Sequence, residues 1–200
     1  MKFNFFKFNS RSAISGFNLM ELMVTVGILA IINMMIFASY PEFSQRMALK
    51  RTSEEIALIV RQAQSYALGI KRPASGGDDY FGFGVHFETS NPKVLILFAD
   101  SDGKMDYDAG GGCGSSNTEC FQKFTIDTKD VISELHTYNS LDSPSPVKTL
   151  DIVYPRATSI ATISGSNPSY AKVTIKSPRG NLEKNKKYIK IWISGQISVE

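Results

Sequence analysis

The chain has 200 residues, 42% of them apolar and 11% aromatic, which suits one packed domain with an appendage. Its net charge of +3 is held entirely by Lys2, Lys7 and Arg11; beyond Gly16, 19 basic side chains balance 19 acidic ones, so bulk charge makes no case for nucleic acid. Catalysis is not expected either, because there is no Gly-x-Ser-x-Gly elbow, no phosphate-binding glycine loop and no His-Glu-x-x-His.

The first 16 residues are basic and polar and end at Gly16. In an ordinary secretory signal the apolar core precedes the cleavage site and is discarded; here the apolar run follows the glycine and would be kept. Leu22 to Tyr40 is free of charge, and at 1.5 Å per residue it spans roughly 28 Å, close to a hydrocarbon core. One membrane helix is therefore expected over residues 17–40. Glu21 lies at its mouth, where a carboxylate costs on the order of 1–3 kcal/mol unless it has a partner.

Gly16, Phe17, Leu19, Glu21, Leu22 and Met23, followed by the retained apolar run, resemble the N-terminal signature of the type IV pilin and type II secretion pseudopilin family. Asn18 stands where the family usually has Thr, and Met20 where it has Ile. The resemblance implies a leader peptide over residues 1–16, cut by a membrane-embedded prepilin peptidase between Gly16 and Phe17, and methylation of the new Phe17 amine. It also implies that Glu21 pairs with that amine on a neighbouring subunit, so that Glu21 sets register during assembly. The implied partners are other pilin or pseudopilin subunits, the peptidase and the inner-membrane assembly machinery. The implied location is the bacterial inner membrane, single-pass, with the C-terminal domain outside the cytoplasm and extractable into a filament. The kinking proline that many members carry is displaced: Ala38 occupies its place and Pro41 follows. A kink near Phe37 to Pro41, or a looser turn joining the two halves, is expected.

Beyond Pro41 the pattern turns amphipathic. Ile56, Ile59, Val60, Ala63, Tyr66, Ala67 and Ile70 recur at helical spacing, so residues 41–71 are expected to form the second half of one helix, lying on a sheet. Lys71-Arg72-Pro73 and the glycines after it end that helix. Residues 72–200 read as a β-rich extracytoplasmic domain. Phe81, Phe83, Val85 and Phe87 alternate with Gly82, Gly84 and His86, and further strands are expected at Val94 to Phe98, Phe121 to Ile126, Val131 to His136, Thr149 to Tyr154, Ser159 to Ile163, Tyr170 to Ile175, Tyr188 to Ile193 and Ile197 to Val199. Ser143-Pro144-Ser145-Pro146 reads as a turn. The fold class is α+β: a long N-terminal helix packed on an antiparallel domain of about eight strands. In outline it is similar to the H-type minor pseudopilins and related minor pilins, which implies a structural subunit that aids filament initiation or tip assembly.

Three features bear on ligands. Asp100, Asp102, Asp106 and Asp108 alternate around Gly103 and could converge on calcium, although the distal Glu of an EF-hand loop is missing; the competing reading is a turn at Ser101-Asp102-Gly103-Lys104 in which Gly103 supplies positive φ. Cys113 and Cys120 lie in a glycine-rich loop, and on an exported chain they most simply pair as a disulfide, against two free thiols or half a zinc site. Residues 78–151 carry net charge −8 and residues 172–190 carry +6, including Lys184, Lys186 and Lys187. By resemblance to minor pilins that bind DNA during uptake, those lysines define an alternative DNA-receptor reading; the competing one is a solvated hairpin with lysines that blunt a sheet edge.

Overall fold

The computed structural model describes residues 16, 18–69, 80–110, 113, 118–178 and 185–200. The leader before Gly16, Phe17, Ile70, the Lys71-Arg72 helix stop and Lys184 lie outside the described residues. The chain divides into two compact units, residues 1–43 and residues 44–200.

Helix α1 covers Leu19–Leu68 and includes Pro41. Proline removes the hydrogen bond to the carbonyl four residues earlier, yet the segment is helical on both sides of it, so the looser turn expected there is not formed. In the first unit the large apolar side chains from Leu19 to Phe37 are exposed, from 49% at Ile32 to 77% at Met34. Two polar side chains among them bond back to the helix itself: Thr25 Oγ1 donates to the Leu22 carbonyl at 2.9 Å and Asn33 Nδ2 to that of Leu29 at 2.7 Å. With its backbone and these side chains bonded internally and its apolar side chains exposed, the helix is long and apolar enough to cross a membrane.

In the second unit the helical stripe is buried as its spacing requires. Leu49, Ile56, Ala57, Val60, Ala63 and Ala67 are each at most 4% exposed, while Glu54, Glu55 and Arg61 face outward. They share one core with two antiparallel sheets. The first contains β1 (Gly82–Glu88), β2 (Val94–Asp100), β3 (Cys120–Thr125), β6 (Thr149–Pro155) and β7 (Thr162–Ile163), in the order β3-β2-β1-β6-β7. The second contains β4 (Val131–Tyr138), β5 (Pro144–Val147), β8 (Tyr170–Lys176), β9 (Lys186–Trp192) and β10 (Ile197–Val199), in the order β10-β9-β8-β4-β5. The expected α+β order holds, but with ten strands in two sheets rather than about eight.

Two departures have local causes. Pro144 to Val147 is an edge strand and not a turn: it pairs with β4 on one side only, and an edge tolerates a residue without an N–H. Phe81 precedes β1 and is 48% exposed, although the alternation with Phe83 placed it inward. Its backbone still bonds Asp100 and Arg156, while its ring lies beside Gly103 instead of in the core.

Candidate functional site

Two places hold most of the site residues expected from the sequence; Lys186 and Lys187 lie apart from both, at the start of β9. The first is the start of α1. Asn18 caps it: its backbone carbonyl accepts from the N–H groups of Glu21 at 3.0 Å and Leu22 at 3.2 Å, and its side-chain Oδ1 lies 3.4 Å from Met20 N. Asn is among the favoured capping residues, so its place at the helix start has a physical reason. Glu21 is the acid of the first helical turn, where its charge also favours the positive end of the helix dipole. Gly16 is exposed.

The second place is the loop after β2. Asp100 ends that strand with its side chain fully buried, and its two carboxylate oxygens accept from Gly103 N at 2.7 Å and Met105 N at 3.2 Å. Glu119, 6% exposed and beside Cys120, does the same from the far end of the loop: it accepts from Ser101 N at 3.0 Å, Ser101 Oγ at 3.2 Å and Asp108 N at 2.9 Å. Between them Lys104 Nζ bridges Asp102 and Asp108, at 2.6 Å to each. Tyr107 closes the loop over the sheet's outer face, its ring 4.9 Å from that of His86 and 5.3 Å from that of Phe98. His86 is itself paired with its cross-strand neighbour Asp151 at 2.6 Å.

Burial pushes the Asp100 carboxyl above its ordinary range, and the loop's N–H groups only partly offset this. Hydrogen bonding to Lys104 holds Asp102 below the usual carboxylate range and raises the lysine in turn. Burial, then the charge of Glu119, pushes the Tyr107 hydroxyl up.

Oxygens of Asp100, Asp102 and Glu119 lie within 4.8 Å of one another, so two of the four aspartates proposed for calcium come together with an acid the sequence reading missed. Asp106 and Asp108 are outside that group. Loop N–H groups already use the carboxylates of Asp100 and Glu119, and the Lys104 ammonium supplies positive charge between Asp102 and Asp108. The turn reading is met at Gly103, whose φ is +79°. Cys113 and Cys120 are bonded, which ties the loop to the start of β3. Glu119 left no periodic signal in the sequence; its one mark was an acid next to a half-cystine.

Asp100→Ala should cost about 2–3 kcal/mol, because Gly103 and Met105 lose their acceptor, whereas Asp100→Asn keeps one acceptor and should lie within about 1 kcal/mol of wild type. The pH dependence has a definite sign. A carboxyl raised in the fold contributes stability fully below its ordinary value of 3.8 and loses that contribution as pH rises through the raised value. Melting temperatures taken from about pH 3 to about pH 7 should therefore show Asp100→Asn gaining on wild type as pH rises.

No protein-family model matches the chain, and no curated protein matches it. Among solved structures it is similar to the type IV minor pilin FimU of Pseudomonas aeruginosa, at 14% sequence identity and a TM-score of 0.44, over 79% of this chain and 92% of that one. A second crystal form of the same pilin aligns over 76% and 92% of the two chains, with a TM-score of 0.42.

Proposed function

We propose that the chain is a structural subunit of a type IV pilus-like filament, and more specifically a minor pseudopilin of a type II secretion pseudopilus that aids initiation or tip assembly. One observation carries this reading: a helix whose large apolar residues are exposed from Leu19 to Phe37 has a single acid in its first turn, and the chain goes on into a β domain with its own core. Such a surface needs lipid or other apolar helices around it, and a carboxylate within it needs a cation. Cleavage after Gly16 would create one, the Phe17 amine of a neighbouring subunit. The prepilin peptidase that cuts and methylates, and the inner-membrane machinery that extracts the subunit, belong to the same proposal.

Glu21→Ala should reach the membrane fraction at the wild-type level but appear in sheared filaments about tenfold less, since losing a desolvated ion pair costs on the order of 1.4 kcal/mol or more. Glu21→Asp should recover part of the loss. Equal incorporation of wild type and Glu21→Ala would sink the pairing role.

The DNA-receptor alternative is the weaker reading. Lys186 lies 3.7 Å from Glu134 and Lys190 lies 2.9 Å from Glu200, so carboxylates already hold part of the positive charge that a phosphate backbone would require.

A further inference from the structure

The helix of the first unit carries a single amide side chain within its charge-free run. Asn33 stands 11 residues past Leu22 and seven before Tyr40, so roughly 16 Å and roughly 10 Å of helix separate it from the two ends of that run. Its bonding capacity is only partly used. Nδ2 gives one hydrogen to the Leu29 carbonyl at 2.7 Å, and neither the second Nδ2 hydrogen nor Oδ1 has a partner among the described residues. Thr25 differs, because its one hydrogen is already donated to the Leu22 carbonyl at 2.9 Å. Asn33 is exposed, and so are Ala30 and Gly27, about one and two turns earlier on the same face. Nothing among the described residues lies within 4 Å of a Cβ built at Gly27.

In water the free N–H and carbonyl of such an amide would be solvated; in hydrocarbon they would be left bare, which is costly. Asparagine has a single methylene, too short a stem to carry its amide out to the interface from this depth. Lipid therefore cannot complete it, whereas a neighbouring helix can. The group that completes an amide both donates and accepts, and it must lie at the same depth. A second copy of the chain meets both conditions by identity. Inserted in the same sense, it places its own Asn33 at the same level, with one free hydrogen and one free oxygen. The small side chains of Ala30 and Gly27 let two backbones come close enough for so short a side chain to reach across.

We propose that two copies of the chain pair within the membrane through the face that carries Gly27, Ala30 and Asn33, each Asn33 Nδ2 donating to the Oδ1 of the other. The two helices are related by a two-fold axis along the membrane normal, so the contact is isologous and closes at a dimer. It does not repeat along a filament, and it leaves an initiation or tip role unaltered. Asn33 lies 12 residues beyond Glu21, so this pairing is separate from the one proposed for the Phe17 amine. The inference rests on the membrane-spanning part of the proposed function and adds to it a partner for the chain before extraction.

The test uses the full-length chain in native membranes, produced as two differently tagged copies that carry one new cysteine in the span and are treated with copper phenanthroline. Cys113 and Cys120 are bonded to each other and supply no free thiol. Ala30→Cys should give a mixed-tag disulfide, and Ile28→Cys, on the opposite face, should give several times less. Adding Asn33→Leu to Ala30→Cys should lower the mixed-tag product about three- to tenfold, while Asn33→Gln, which keeps the amide, should retain most of it. Equal product from Ala30→Cys and Ile28→Cys, or product unchanged by Asn33→Leu, would overturn the proposal. So would an Ala30→Cys chain that reaches the membrane fraction but joins only a different protein or none. A chain absent from the membrane fraction would overturn the membrane-spanning reading and the dimer together. Asn33-dependent dimers in cells whose filaments lack the chain would support the dimer and contradict the filament reading.

Discussion

Gly195→Ala should destabilise the second unit by about 3 kcal/mol or more, a large share of the roughly 5–15 kcal/mol that holds a domain folded. Gly195 lies in the turn between β9 and β10 at φ +82°, donating its N–H to Trp192 O at 2.9 Å. A Cβ there would drive into the Ser159 carbonyl oxygen and come within 2.6 Å of Gln64 Nε2. That position is where three segments meet, because Gln64 Nε2 donates from α1 to the carbonyls of both Ser159, at 3.2 Å, and Gly195, at 3.3 Å. The clash falls on backbone and on a side chain that ties the helix to this turn, so no single rotamer change relieves it. A paired variant separates the two causes. Asn tolerates positive φ but still carries a Cβ, so Gly195→Asn should lose nearly as much as Gly195→Ala if space is what matters. Urea melts of the detergent-solubilised chain measure both. A nearly neutral Gly195→Asn would mean that backbone strain, not the close approach, makes glycine necessary.

The contrast between Gly195 and Phe83 explains what the sequence could convey. Phe83 was legible: alternation with the neighbouring glycines marked an inward position, and its buried ring meets those of Tyr66, Tyr80 and Phe121 at 5.3–5.7 Å. Periodicity reports burial, and so the stripe through Ile56, Val60 and Ala63 was legible in the same way. Gly195 and Glu119 act through groups far along the chain, Ser159 and Gln64 in one case and Ser101 and Asp108 in the other, and no local pattern records such contacts. The aspartate loop was half legible for the same reason. Spacing marked a turn with convergent acids; the lysine bridge and the buried Glu119 depend on how the loop folds back over His86 and Phe98. The prolines of β5 misled because the sequence does not say which strand lies at an edge.

At the other end of the chain the expected effect is all-or-none. If the apolar helix is retained and its carboxylate awaits a new amine, the chain must be cut immediately before the helix, and the small residue at Gly16 is where a peptidase would need room. Gly16→Leu should therefore leave only the precursor. Among the described residues nothing lies within 4 Å of a Cβ built at Gly16, so the substitution leaves the packing of the second unit unchanged. The most direct measurement is the intact mass and N-terminal sequence of the protein recovered from its native membrane. The recovered chain should begin at Phe17 and be one methyl group heavier than the unmodified sequence; recovery of the uncut chain, or of one cut anywhere other than after Gly16, would contradict cleavage at this site.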